Sequence, residues 1–140
     1  MDGLRHTDRV TISIQSDTDI VAARQVGREM AAASGCGATD QTMVATAISE
    51  IARNMLTHAG GGEVELQLRA ENRRPYLMIT ARDDGPGIED VDRALQDGFT
   101  TSEGLGLGLP GARRLMDEFE ITSEPQGGTT VVMRKWCAPE

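Results

Sequence analysis

Met43-Val44-Ala45-Thr46-Ala47-Ile48-Ser49-Glu50-Ile51-Ala52-Arg53-Asn54-Met55-Leu56 is the stretch on which the architecture turns. Its apolar residues recur every three to four positions, the clearest helical period in the chain, so it reads as an amphipathic helix. Thr39 and Asp40 are expected to cap its start and Gly60-Gly61-Gly62 to end it. Glu50 and Asn54 stand four apart on this helix, so both project from one face.

Upstream, Val10-Thr11-Ile12-Ser13-Ile14 alternates apolar and polar residues and predicts a half-buried strand. Ser16, Asp17 and Thr18 offer caps for a helix over 19–34, with Ile20, Ala23, Val26, Gly27 and Met30 on one stripe. Gly35-Cys36-Gly37 stops it. Downstream, Val64, Leu66 and Leu68 alternate with polar residues. Arg73-Arg74-Pro75 then turns into a second strand, Tyr76 to Ala81, and the short connection predicts an antiparallel pair. Asp83-Asp84-Gly85-Pro86-Gly87 breaks that strand. A short polar helix is expected over 90–97, a glycine-rich loop over 98–111, and a helix over 112–119 facing Leu115, Met116 and Phe119 inward. Ile121 to Ser123 and Thr129 to Trp136 form a last hairpin around Pro125-Gln126-Gly127-Gly128.

The order β-α-α-β-β-(α)-loop-α-β-β has no repeat and no linker. It predicts one domain over 1–140, of α+β class: a two-layer α/β sandwich, a mixed sheet with helices on one face. The length suits one domain that buries roughly two-thirds of its unfolded surface. Aromatic residues are 3% of the chain, so the core must be aliphatic. A net charge of −8 argues against nucleic acid and against anionic lipid as partners. No apolar run is long enough to span a membrane and no leader is evident, so the expected place is the cytoplasm. Cys36 and Cys137 form no metal spacing; two reduced thiols are the preferred reading, with a disulfide left open.

The chemistry narrows by elimination. Thirteen of the basic residues are Arg and only Lys135 is lysine. No G-x-x-x-x-G-K-[ST] loop exists, and no early-strand lysine of the eukaryotic kinase kind. Neither His6 nor His58 has a metal-like companion, and there is no G-x-S-x-G. Asp83 and Asp84 are adjacent on a strand and point to opposite faces, so they cannot flank one glycosidic bond.

Four constellations remain, each with a bland reading beside it. Glu50 and Asn54 present hard oxygens that suit Mg²⁺, or are a solvated helix pair. Asp83-x-Gly85-x-Gly87 lets backbone approach a flat ligand while a carboxylate accepts N–H bonds, or is an ordinary turn. Gly104-Leu105-Gly106-Leu107-Gly108-Leu109-Pro110-Gly111 opens a helix and offers bare N–H groups to phosphate, or is a mobile lid. Its G-x-G-x-x-G follows a loop rather than a strand, which excludes a dinucleotide fold. Gly128-Thr129-Thr130-Val131 places a hydroxyl beside a turn, or is simply β-branched strand.

Taken in order, these pieces resemble the boxes of the GHKL (Bergerat-fold) ATPases over about residues 10 to 136. Glu50 and Asn54 resemble the helical N-box, Asp83 to Gly87 the adenine box, Gly104 to Gly108 the phosphate box and Gly128-Thr129 the last box. Asp19 to Gln25, Ala47 to Asn54, Asp97 to Ser102, Gly108 to Gly111 and Arg114 to Phe119 are similar to the RsbT-type serine/threonine switch kinases of stressosome partner switching, relatives of the anti-sigma factor kinases.

That resemblance implies the following roles. ATP is the nucleotide and Mg²⁺ its metal, held by Asn54. Asp83 accepts the adenine amine, with Thr129 supporting it through water, and Gly104, Gly106 and Gly108 wrap the phosphates; Gly85, Gly87, Thr101, Leu105 and Leu107 are further ATP-binding residues. Glu50 is the catalytic base toward a substrate hydroxyl. The implied partners are a STAS-domain antagonist protein as substrate and a PP2C-type phosphatase that the kinase activates after release. The alternative in the same fold is an anti-sigma factor of the RsbW/SpoIIAB type, which also sequesters a sigma factor.

Overall fold

The computed structural model describes residues 9–87, 108–124 and 126–137. The elements run β1 (Arg9–Ile14), α1 (Asp17–Ala33), α2 (Ala38–Ala59), β2 (Gly62–Glu71), β3 (Arg74–Asp83), α3 (Gly108–Leu115), β4 (Glu118–Glu124) and β5 (Gly128–Trp136).

Local chemistry sets most boundaries. Ser16 caps α1 by accepting the Asp19 N–H at 3.4 Å, while the Asp19 carboxylate accepts from the Gln15 N–H at 2.8 Å. At the other end Gly35 adopts φ 98°, and the N–H groups of Cys36 and Gly35 return to the carbonyls of Ala31 and Ala32. The cap of α2 lies two residues before Thr39, the first expected one: Gly37 is its N-cap, without a side-chain hydrogen bond, and Asp40 lies in the first turn. An acidic residue in a first turn stabilises the positive end of the helix without capping it. Gly60, at φ 78°, ends α2.

The helix expected over 112–119 instead begins at Gly108 and stops at Leu115, and Phe119 lies in β4 opposite Met133. Pro110 falls in the first turn of α3, where a missing N–H costs nothing, so the glycine-rich sequence enters the helix earlier than composition suggests.

The sheet has five strands in the order β1-β2-β3-β5-β4, antiparallel at every pairing. It is therefore not the mixed sheet expected, although the two-layer α+β arrangement stands. Two helices between β1 and β2 return the chain to the end it left, so β2 must run against β1. β3 and β4 share a direction, but β5 lies between them. Val64, Leu66, Leu77 and Ile79 from the sheet and Ile20, Met30, Val44 and Ile48 from α1 and α2 form one aliphatic core. The Glu71–Arg74 pair closes the β2–β3 hairpin through Asn72 and Arg73, both at positive φ, the geometry of a tight two-residue turn.

Lys135, 6% exposed, ties the layers together. Its ammonium donates to the Leu115 carbonyl at 3.0 Å and lies 3.6 Å from Asp40 and 4.0 Å from Asp117. The chain's one lysine thus completes the C-terminus of α3. Cys36 and Cys137, preferred from composition as free thiols, are joined as a disulfide with Cα atoms 4.4 Å apart. The turn after α1 carries Cys36 to the end of β5, 101 residues on.

Candidate active site

The last residue of β3 begins the site. Asp83 pairs across the sheet with Thr129 of β5, and Thr129 pairs with Ser123 of β4, so three polar residues form one row. The neighbouring row, Ala81–Val131–Ile121, belongs to the core, so the polar row lies on the helix-facing side. Asp83 Oδ1 accepts the Gly85 N–H at 2.9 Å and the Thr129 N–H at 3.3 Å. These bonds fix the carboxylate, and among the described residues both go to the same oxygen, leaving Oδ2 to accept from a ligand.

The loop after Asp83 is clasped by its neighbours. A Cβ on Gly85 would come within 2.5 Å of the Ala59 Cβ, so only glycine lets this loop lie against the end of α2. Gly87 is at φ 83° and faces the Glu124 carbonyl, and the Pro86 carbonyl accepts the Gln126 N–H at 2.6 Å. Ser123 Oγ lies 3.0 Å from Thr129 Oγ1 and donates to the Gly128 carbonyl at 3.3 Å. Ser123 escaped the sequence reading; the register of the last hairpin, which sets it opposite Thr129, is the signal that finds it.

α2 supplies the second wall. Glu50 and Asn54 are both half-buried. Glu50 Oε1 accepts the backbone N–H of Gly108, the first residue of α3, at 3.2 Å. Ala59 marks the Asp83 loop and Glu50 marks the start of α3, and nine residues of helix separate these heights by about 13 Å. Asn54 lies between the two. The arrangement joins an acceptor-rich end at Asp83 to a carboxylate beside a helix start, with a carboxamide midway.

Gly108 is the one phosphate-box residue within the described region. Thr101, Gly104, Leu105, Gly106 and Leu107, and the helix expected over 90–97, lie outside the described residues. Arg113, Arg114 and His58 are exposed. A cleft of about 500 Å³ opens at the Asp83 end of this arrangement, lined by Ala59, Gly60, Gly62, Arg82, Asp83 and Asp84; Glu50 and Asn54 are not among its lining residues. No group of three His, Cys, Asp or Glu residues is placed to hold a metal among the described residues. A single half-buried carboxamide fits a different need, that of a Mg²⁺ which keeps its waters and takes its other ligands from phosphate. No described helix is long and apolar enough to cross a membrane.

Residues 14–135 match the histidine kinase-like ATPase domain. The chain belongs to that family, the GHKL ATPases and kinases, and membership implies an ATP-binding site. It is 46% identical over 129 residues to the serine/threonine-protein kinase RsbT of Bacillus subtilis strain 168, spanning 92% of this chain and 97% of that protein. It is 31% identical to the anti-sigma F factor of Halalkalibacterium halodurans, over 94% of this chain and 93% of that one. Its fold matches the nucleotide-free catalytic domain of histidine kinase ThkA with a TM-score of 0.56 at 13% identity, over 95% of this chain and 99% of that one.

Proposed function

We propose that the chain, as one domain over 1–140, is an ATP-dependent serine/threonine kinase that phosphorylates a STAS-domain antagonist protein. After release it binds and activates a PP2C-type phosphatase. The observation that carries the reading is Glu50 at the N-terminus of α3, 3.2 Å from the Gly108 N–H, with Asn54 one turn away toward Asp83. A base is needed at one end of the nucleotide and an acceptor for its amine at the other, and α2 spans that distance.

The adenine amine donates to Asp83, with Gly85 and Gly87 letting the loop it heads pack against Ala59 and Glu124, and Thr129 adding an acceptor beside it. Gly104, Gly106 and Gly108 wrap the phosphates, with Thr101, Leu105 and Leu107 beside them, and the N–H of Gly108 stays with Glu50. Mg²⁺, bound through Asn54, supplies charge neutralisation to the phosphates. Glu50 takes the proton of the substrate Ser or Thr hydroxyl as its oxygen bonds to the γ-phosphorus. The bond from that phosphorus to the β–γ bridging oxygen breaks, and ADP leaves with the electron pair.

The test is incubation with radiolabelled ATP and candidate STAS proteins. An acid-stable phosphoester on serine or threonine is expected; acid-labile phosphohistidine overturns the reading. The likeness to an anti-sigma F factor favours one second reading, a kinase that also sequesters a sigma factor. Pull-down of a sigma factor, with the STAS protein as competitor, separates the two.

A further inference from the structure

The geometry points to Ser123 as a specificity-determining residue for the nucleobase. It acts through Thr129, by committing that hydroxyl to accept hydrogen bonds from the ligand. This rests on the reading that Asp83 faces the base.

A hydroxyl carries one proton and two acceptor lone pairs. Ser123 spends its proton on the Gly128 carbonyl at 3.3 Å. Either hydroxyl could donate in the 3.0 Å contact between Ser123 Oγ and Thr129 Oγ1; the Gly128 carbonyl can only accept, so with the Ser123 proton assigned to it the contact is made with the Thr129 proton. What Thr129 keeps for the hollow is lone pairs alone. Asp83, ionised, is acceptor-only by nature, and its Oδ1 already takes the Gly85 and Thr129 N–H groups. The row Asp83–Thr129–Ser123 therefore presents acceptors without a donor to whatever sits over it.

Over these three side chains, a ligand or a water it holds must supply the protons. A purine with a 6-amino group supplies them. A purine with a 6-oxo group brings another acceptor, and two acceptors face each other with nothing between them. A site built to receive an N–H rejects the analogue that lacks it. Without Ser123 the Thr129 hydroxyl turns freely and donates to the oxo group, so discrimination falls.

The position of Ser123 is set by the same loop that carries Asp83. A Cβ added to Gly87 would stand 3.1 Å from Ser123 Oγ, so the Asp83-x-Gly85-x-Gly87 turn lies directly against it. Base-facing acceptor, loop and proton donor thus form one packed unit at the end of three strands.

The experiment is titration calorimetry with ATP and with GTP on the full chain, for wild type, Ser123→Ala, Ser123→Thr, Thr129→Val and the Ser123→Ala/Thr129→Val double variant. Ser123→Ala is expected to narrow the ATP-to-GTP affinity ratio roughly five- to tenfold, the worth of one hydrogen bond. Ser123→Thr, which keeps the hydroxyl, is expected to hold the wild-type ratio. The double variant is expected to match Thr129→Val, because Ser123 works through Thr129. An unchanged ratio in Ser123→Ala, a narrowed ratio in Ser123→Thr equal to that of Ser123→Ala, or additive losses in the double variant overturns the assignment. Should Ser123→Ala not fold, Ser123→Cys, with its weak donor, replaces it under the same expectation. A wild-type protein without preference for ATP overturns the adenine reading of Asp83 itself, a separate outcome.

Discussion

The carboxylate of Glu50 accepts a hydrogen bond from the backbone N–H of Gly108 at 3.2 Å, joining the middle of α2 to the first residue of α3 across 58 positions of sequence. The acid proposed to take a substrate proton is therefore anchored at the start of a helix, the end that favours negative charge. Glu50→Ala is expected to slow phosphotransfer about 10²- to 10⁴-fold, the usual contribution of a positioned base. Nucleotide affinity should change little. Single-turnover transfer from radiolabelled ATP measures it, and a full rate in the variant removes Glu50 from the chemistry.

Asp83→Asn tests the other end of the hollow. Asparagine keeps the size and one acceptor oxygen but loses the charge that strengthens bonds to N–H donors. ATP affinity is expected to fall about tenfold, near 1.4 kcal/mol. Calorimetry reads this directly, and identical binding would remove the adenine role.

Asn54→Ala separates metal from nucleotide. The expected loss is larger for ATP with Mg²⁺ than for ATP in chelator, since only the first uses a side-chain oxygen on the ion. Equal losses would mean that Asn54 touches the nucleotide in some other way.

Gly27 tests packing far from the hollow. A Cβ there would overlap Ile48 Cδ1 and touch Val44 and Leu66, and Ile48 is 1% exposed, so its side chain must shift within a packed core. Gly27→Ala is expected to destabilise by about 1–3 kcal/mol through overpacking, despite the better helix propensity of alanine. Thermal unfolding checks it; a stabilised variant would show that α1 and α2 slide apart at little cost.

The disulfide closes 101 residues of chain between Cys36 and Cys137. Its removal by reductant, or by Cys36→Ser, is expected to lower stability by about 2–4 kcal/mol. Unfolding scans with and without dithiothreitol, alongside thiol counting by mass, read the effect. Matching scans with two free thiols in one of them would show that the bridge adds nothing.

Where one face of an element is apolar, the fold was legible in the sequence. The stripes of α1 and α2 and the alternation of Val64, Leu66 and Leu68 state their periods openly. Sheet order was not, because periodicity says which face is buried and nothing about which strand lies alongside. Placing β5 between β3 and β4 is a tertiary outcome. The early start of α3 was hidden by glycine content, although Pro110 in a first turn is itself a helix signal. At the candidate site, Asp83, Gly85 and Gly87 announce a sharp turn in sequence. Ser123 does not, since a serine in a strand becomes meaningful only once its cross-strand neighbour is known.

The sheet order has a consequence for how the protein is made. β5, the last strand among the described residues, fills an interior place between β3 and β4, and it carries Thr129. Until the polypeptide has emerged through Trp136, Asp83 has no neighbour on that side, and the hairpin that props its loop does not exist. A nascent chain on the ribosome is therefore silent toward nucleotide until β5 has emerged, and competence arrives all at once.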